Sequence, residues 1–258
     1  MLVATSARRW RQHRAHPGGK RLMSMSDLRL LQLQVDTLFT HDARGRICYV
    51  NEPGGERAPR FFFGRSREGN IWRCRDDLAE ETVRTLDALA SEEPVHDDLR
   101  AEPRHLDAFL AALRSDRESA SIASGPAYQF PDELPLPANV TRLTRSDLHL
   151  LHLMAWDLDE AEREFEAREP YMAVVENGAA VSLCHSARLT DQAAEAGVET
   201  VEAYRGRGYA SAVVAGWAHA IRAIGRIPLY STSWNNLASQ GVARKLRLVQ
   251  YGTDLSLG

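Results

Sequence analysis

The stretch GVETVEAYRGRGYASAVVAGWAHAI, residues 197–221, decides the fold of the second half of the chain. It begins as a strand pattern, turns through Arg205-Gly206-Arg207-Gly208, and continues as a helix pattern with apolar residues three and four apart. The first N–H groups of a helix lack intrahelical partners and lie at the positive end of its dipole. The two glycines keep this backbone bare, and the two arginines add positive charge. The stretch therefore predicts an anion site suited to a pyrophosphate.

Two other interpretations of this turn stay open on these residues alone. The glycines could simply form a tight turn, with both arginines solvated. A dinucleotide site would use Gly206 and Gly208 as the first two glycines of its motif, but position 211 is serine. The next strand pattern, IPLYSTS at 227–233, also offers no acidic residue for a ribose hydroxyl. These residues therefore count against a dinucleotide site.

The composition is that of a globular protein, with 44% hydrophobic and 26% charged residues in 258. No apolar run reaches the roughly 18–20 residues that span a bilayer. The formal net charge is −3, although the first 22 residues carry six positive charges and no acid. The rest is acidic, so we expect neither nucleic-acid nor membrane binding. We expect a disordered basic tail over 1–25, and whether residues 1–22 are native stays open.

A proline-rich segment divides the remaining chain into two predicted domains. GPAYQFPDELPLPANV, residues 125–140, has four prolines, and we expect an extended connector over 125–138. Residues 26–124 alternate short strand patterns with amphipathic helix patterns, which predicts a smaller α+β domain of unknown role. Residues 139–258 predict a strand, helices, a hairpin turning at Asn177-Gly178, and then strand–helix–strand–helix–strand.

The cysteines and histidines predict neither disulfides nor a metal site. The three cysteines are far apart and odd in number, a usage typical of a reducing cytoplasm. His149 and His152 lie three residues apart on a predicted helix, but no pair of histidines shows metal-ligand spacing inside a recognisable motif. We therefore expect a cytoplasmic protein without a bound metal.

The stretch at 197–221 resembles the acetyl-CoA-binding segment of the GNAT superfamily of N-acetyltransferases. That family has Arg/Gln-x-x-Gly-x-Gly/Ala at the start of its long central helix, and Arg205, Gly208 and Ala210 occupy those places. STSWNNLASQGVARKL, residues 231–246, resembles the family's next motif, an Asn followed by a helix. The resemblance covers 139–258 and implies an α/β (α+β) fold, a mixed twisted sheet flanked by helices, preceded by the smaller domain. Among family members, the chain is similar to two-part bacterial proteins with a degenerate first half.

The resemblance implies acetyl-CoA as co-substrate and no metal. The backbone amides at Val198 and Thr200 would pair with the pantetheine arm and polarise the thioester carbonyl. The loop amides would hold the pyrophosphate, and Asn236 would contact the cofactor, with Asn235 as a one-residue alternative. The implied cofactor-binding residues are Val198, Thr200, Arg205, Gly206, Arg207, Gly208, Tyr209, Ala210, Ser211 and Asn236.

The implied reaction is direct transfer of acetyl to an amine of a small molecule or peptide. The amine must lose a proton and the departing thiolate must gain one. Glu195 and Glu199 alternate onto one face of the predicted strand, and either could be the catalytic base. We favour Glu199, because its neighbour Thr200 matches a cofactor-contacting position.

Departures from the family pattern keep other functions open. Aligned on Asn236, the position of the family's usual acid, a Tyr, is Ala243, with Tyr230 and Ser239 as nearby donors. This motivates an alternative function, a non-catalytic acetyl-CoA-binding sensor or interaction module. LFTHDARGRICYVNE, residues 38–52, resembles the start of PAS domains, so the first half could sense a ligand. The first half could instead form one side of the acceptor pocket or a homodimer contact.

Overall fold

The structure, a computed structural model, describes residues 25–114 and 121–258. Two compact units are present. The central unit comprises Phe130–Pro228 and Lys245–Arg247, and the N-terminal unit comprises Met25–Gln129, Leu229–Arg244 and Leu248–Gly258. This division differs from the predicted consecutive domains, because the last segments of the chain cluster with its first half. The predicted basic tail lies outside the described residues except for Met25.

The N-terminal unit is an antiparallel sheet with helices packed on it. Its elements are α1 (Asp27–Leu38), β1 (Phe39–His41), β2 (Ile47–Val50), β3 (Phe61–Arg65), β4 (Asn70–Cys74), α2 (Glu80–Ser91), α3 (Leu106–Arg114) and β5 (Ile122–Gln129). Most of β10 (Ile227–Ser231), α7 (Leu237–Lys245) and β11 (Val249–Leu257) also belong to it. The strand order is β4-β3-β11-β5-β10, while β1 and β2 pair separately.

Three consecutive phenylalanines on β3 form the core on both faces of this sheet. Successive side chains of a strand point to opposite faces. Phe61 and Phe63 therefore share a face and pack on Phe109 of α3, with ring centroids 5.0 and 5.4 Å away. Phe62 points to the other face, where its ring lies 5.6 Å from that of Phe39.

Part of the predicted connector is a strand. β5 includes Pro126 and pairs with β11 over its whole length and with β10 over its last three residues. The carbonyl of Pro126 accepts a hydrogen bond from the Thr232 amide at 3.2 Å. A Cβ at Gly125 would lie 1.7 Å from the Thr232 carbonyl oxygen, so only glycine permits this close approach. The connector therefore begins after β5, at Phe130.

The central unit contains an antiparallel sheet in the order β6-β7-β8-β9. Its elements are β6 (Thr141–Leu143), a 3-10 helix (Arg145–Leu153), α4 (Leu158–Arg163), α5 (Phe165–Arg168), β7 (Tyr171–Glu176), β8 (Ala179–Leu189), β9 (Ala193–Thr200), a 3-10 helix (Glu202–Tyr204) and α6 (Tyr209–Ala223). The predicted hairpin is confirmed, since Asn177 and Gly178 connect β7 to β8 with φ of 51° and 79°.

Helix α6 covers one face of this sheet. Its apolar residues, among them Val214, Trp217 and Ile221, are fully buried, as their spacing predicts. The indole of Trp217 donates to Ser186 Oγ on β8 at 3.2 Å. The expected fold class, α/β with a mixed twisted sheet flanked by helices, is confirmed. No helix within the described parts of the chain is both long and apolar enough to cross a membrane.

Candidate active site

The turn between β9 and α6 presents bare backbone amides. Gly206 and Gly208 have φ of 78° and 83°, a left-handed conformation that glycine adopts without strain. Gly208 is the N-cap of α6, and no side chain caps the helix. The first helical bond runs from the Ala212 amide to the Gly208 carbonyl at 3.2 Å. The three preceding amides of α6, at residues 209–211, therefore have no partner within the helix.

The two arginines of the turn brace its backbone. Arg205 Nε donates to the Thr200 carbonyl at 3.3 Å. Arg207 Nη2 donates to the Ala203 carbonyl at 3.1 Å, and its guanidinium lies 4.8 Å from the ring centroid of Tyr204. Both arginines are exposed. They therefore hold the loop in shape while placing positive charge at its rim.

A lysine that the sequence analysis missed lies directly at the helix start. A Cβ built on Gly208 would be only 2.5 Å from Lys245 Nζ, whereas one on Gly206 would meet no heavy atom within 4 Å. Lys245 ends α7 and clusters with the central unit. No sequence signal connects positions 208 and 245, because only the folded chain brings them together. This arrangement of unpaired helical amides and an ammonium suits a multiply charged anion.

The side chain of Tyr209 points away from these amides. Its hydroxyl donates to Glu176 Oε1 at the end of β7. Glu176 Oε2 also lies 3.9 Å from Arg207 Nη1. Glu176 thus ties the first residue of α6 to the hairpin, and Tyr209 offers an anion only its backbone amide.

Val198 and Thr200 lie on β9 immediately before the turn, as predicted. They stand opposite Cys184 and Ser182 of β8, and both of these neighbours are fully buried. The hydroxyls of Thr200 and Ser182 are 2.8 Å apart. This contact fixes the end of β9 that leads into the turn.

Glu199 is held by a tryptophan from another element. The indole Nε1 of Trp156 donates to Glu199 Oε2 at 2.9 Å. The Trp156 ring also meets the imidazole of His185 edge to face, with centroids 4.9 Å apart. His185 lies over Gly197, where a Cβ would come within 2.7 Å of its Cε1. The rings of Trp156 and His185 therefore pack on the face of β9 that carries Glu199.

Glu195 has a different environment from Glu199. It is only 3% exposed and stands opposite Arg188 of β8. Four residues of strand separate the two glutamates, a rise of about 13 Å. The structure therefore does not bring them together, and only one can stand beside a given reacting atom.

A cavity of about 210 Å³ lies on the Trp156 side of the sheet. It is lined by Ala155, Trp156, Asp157, Glu160, Ala161, Glu164, Arg168 and His185, and we call it the acidic cavity. Arg168 Nε donates to Glu164 Oε2 at 2.7 Å. Burial lowers the pKa of His185 to about 3, so its ring is neutral at neutral pH. Three carboxylates therefore face one guanidinium in this cavity.

Three further residues singled out from the sequence lie in the N-terminal unit. Asn236 is the N-cap of α7, and its Oδ1 accepts from the Ser239 amide at 3.0 Å. Ala243 is 1% exposed, within the packed face of α7. Tyr230 is also 1% exposed, and its hydroxyl lies 2.7 Å from Ser239 Oγ. The two hydroxyls weighed as substitute acids are thus bonded to each other. In the described residues, no group of three or more His, Cys, Asp or Glu is placed to hold a metal ion.

One family model matches part of the chain. Residues 153–251 match the family model described as GNAT acetyltransferase. No curated protein matches the sequence. The matched segment contains the turn, Lys245, Trp156 and both glutamates of β9.

Solved structures of similar fold come from several bacteria. A GNAT-family acetyltransferase from Colwellia psychrerythraea is 15% identical over 92% of this chain and 98% of its own, with a TM-score of 0.48. A GCN5-related N-acetyltransferase-like protein from Streptococcus suis is 16% identical over 78% of this chain and 85% of its own, with a TM-score of 0.47. A putative GNAT acetyltransferase from Novosphingobium aromaticivorans is 17% identical over 53% of this chain and 64% of its own, at 0.44.

Proposed function

We propose, on the premise that residues 153–251 are a GNAT acetyltransferase domain, that the protein is an N-acyltransferase that moves acetyl from acetyl-CoA to an amine. The amine belongs to a small molecule or a peptide. The observation that carries the proposal is the bare helix start at Gly208, with its orphan amides and the ammonium of Lys245 beside it. We further propose that the protein is cytoplasmic, that it binds no metal and that it can form a homodimer.

The residues present fit the pyrophosphate of coenzyme A. The amides at 209–211 would donate to its oxygens, and Lys245 would supply a compact positive charge. Arg205 and Arg207 keep the loop open, and at Gly206 the space around a Cβ position is empty. The backbone amides at Val198 and Thr200 would hold the pantetheine arm along β9. Asn236 stays a proposed contact of the cofactor, as the family resemblance implies.

When bound, acetyl-CoA supplies the acetyl thioester, whose C–S bond breaks as the amine nitrogen forms the C–N bond. Glu199 would accept the proton of the attacking amine at Oε1, because Trp156 already donates to Oε2. Backbone N–H groups of β9 would polarise the carbonyl oxygen. The leaving sulfur has no tyrosine at position 243, but a thiol with a pKa near 8.5 can leave largely unprotonated.

Calorimetric titration of acetyl-CoA tests the cofactor site. Loss of one charged hydrogen bond costs about 1.5–3 kcal/mol, so Lys245→Gln is expected to weaken binding roughly tenfold or more. Arg244→Gln, which removes the neighbouring charge of the same helix, is the matched control and is expected to bind like wild type. Equal affinity of wild type and Lys245→Gln would contradict the assignment of this site.

A second candidate function is a non-catalytic acetyl-CoA-binding module. Ala243 is buried where the family has its acid, and Tyr230 is bonded to Ser239, which favours this alternative. Incubation with acetyl-CoA and a broad panel of amines separates the two functions. Binding without amine-dependent thiol release would favour the module, while amine-dependent release establishes the transferase.

A further inference from the structure

Another cavity, of about 270 Å³, lies within the N-terminal unit, and we call it the arginine cavity. None of its lining residues is among those of the proposed cofactor site, and the proposed transfer of acetyl does not use it. Its lining includes two arginines, a tryptophan and apolar side chains, namely Arg65, Arg100, Trp234, Leu106 and Ile122.

The guanidinium of Arg65 is buried without a counter-ion. Arg65 is only 7% exposed, and its Nη2 donates to the neutral carbonyl of Ala101. It forms no ion pair with any residue that the structure describes. The field of Glu93 acts on Arg65, but the Glu93 carboxylate accepts instead from the Arg104 and His105 amides. Burial lowers the pKa of Arg65, because water no longer solvates its charge.

The remaining donors of Arg65 are accessible to a ligand. A guanidinium has five N–H donors. Nε and Nη1 of Arg65 have no hydrogen-bond partner in the described parts of the chain, yet neither is among the unbonded side-chain atoms that are sealed from solvent. Because Arg65 lines the cavity, a molecule in the cavity can accept from them. A bound anion would offset the cost of burying this charge.

Arg100 is held at the cavity by an aromatic ring. Its guanidinium lies 5.1 Å from the ring centroid of Trp234, whose amide donates to the Ser124 carbonyl at 3.1 Å. Arg100 also directly precedes Ala101, whose carbonyl binds Arg65, so one short segment connects the two cations. Among the described residues, the guanidinium of Arg100 has no hydrogen-bond or ion-pair partner. Two positive groups are therefore available here.

The charges of the lining favour an anion with a single charge. Glu102 is the one carboxylate that opposes Arg65 and Arg100 among the described lining residues, which leaves one positive charge in excess. Asp254 also lines the cavity, but its carboxylate accepts from Gln34 of α1 at 2.7 Å. Alternation along β11 directs the Asp254 side chain to that other face of the sheet.

We propose that the arginine cavity binds a small organic monocarboxylate. The two oxygens of the carboxylate accept from the Arg65 and Arg100 guanidiniums, whose forked donors match them. The apolar body of the ligand packs on the ring of Trp234 and on Ile122, which is 54% exposed in the absence of a ligand. A neutral molecule of the same shape lacks the group that the arginines bind.

Calorimetric titration of the full chain with benzoate and with benzamide tests this site, because benzamide has the shape of benzoate without its charge. Wild type is expected to bind benzoate at least about tenfold more tightly. Arg65→Gln should raise the Kd for benzoate roughly tenfold or more, and Arg100→Gln, which removes an exposed cation, up to about fivefold. Arg104→Gln, exposed and outside the lining, should match wild type.

The outcomes decide the proposal independently of the transferase function. Equal affinity for benzoate and benzamide overturns it, as does the absence of benzoate binding to wild type. Inorganic phosphate that binds more tightly than benzoate overturns the choice of a monocarboxylate. If thermal unfolding shows that Arg65→Gln does not fold, Arg100→Gln decides: weaker benzoate binding than in Arg104→Gln supports the site, and equal binding overturns it. Acetyl-CoA affinity should stay unchanged in Arg100→Gln.

Discussion

Replacing Gly208 with alanine tests the role of the helix start in two separable ways. The left-handed backbone at this position, with φ of 83°, costs an alanine about 1–2 kcal/mol. For a chain of this size, that lowers Tm by roughly 2–4 °C per kcal/mol. The new Cβ would also lie 2.5 Å from Lys245 Nζ and displace its ammonium. We therefore expect both lower stability and weaker acetyl-CoA binding.

Gly225→Ala is the matched control for backbone strain. Gly225 has φ of 77°, and a Cβ there would meet no heavy atom within 4 Å. It follows the other end of α6, away from the proposed phosphate site. Its alanine variant should lose similar stability but keep wild-type affinity.

The comparison uses thermal unfolding for stability and calorimetry for acetyl-CoA affinity. Displacing one charged hydrogen-bond donor from a phosphate costs about 1.5–3 kcal/mol, which corresponds to a Kd raised roughly tenfold or more in Gly208→Ala alone. If the two variants lose stability equally and bind acetyl-CoA equally well, the reasoning about Lys245 and the bare amides is refuted.

Three further substitutions test other parts of the account. Trp156→Phe keeps an aromatic ring but removes the N–H that orients Glu199, so kcat should fall about tenfold in the thiol-release assay while acetyl-CoA affinity stays unchanged; an unaltered kcat would contradict this. Burial raises the pKa of Asp254 from 3.8 to about 7, so the folded state keeps a proton that the unfolded chain releases between these values. The stability that this group contributes therefore falls as the pH rises through that window. In denaturant titrations, the free energy of unfolding of Asp254→Asn should rise relative to that of wild type by up to about 1.4 kcal/mol per pH unit there. A difference that does not change with pH would contradict this. Phe109→Ala empties a fully buried site and should cost about 3–5 kcal/mol in the same titrations, and a loss below 1 kcal/mol would contradict the packing.

The local features of the candidate site could be predicted from the sequence. Asn177-Gly178 and the glycines at 206 and 208 sit at positive φ, and residue type alone signals such positions. The helical spacing from Tyr209 onward predicted α6, because period is a local property. These features depend on a few neighbouring residues.

The features that the sequence analysis missed depend on contacts between distant residues. β5 became a sheet strand despite Pro126, because β11 from the end of the chain pairs along it. Lys245 and Trp156 reach the site from α7 and from the loop before α4, and neither stands at a spacing that marks it. The alternation of the strand places Glu195 and Glu199 on the same face, so the sequence does not distinguish them. The structure does, because Glu195 stands opposite Arg188 whereas Glu199 accepts a hydrogen bond from the Trp156 indole.

Amine-dependent thiol release by wild type and Glu199→Gln, measured side by side, tests the central claim most directly. The account predicts that wild type releases thiol from acetyl-CoA only when an amine is present. Glu199→Gln should bind acetyl-CoA normally but lose about 10²–10⁴-fold in turnover, the contribution of a general base. The matched variant Glu195→Gln should retain more activity than Glu199→Gln. Equal turnover by wild type and Glu199→Gln would contradict the account, as would a wild type that releases no thiol with any amine.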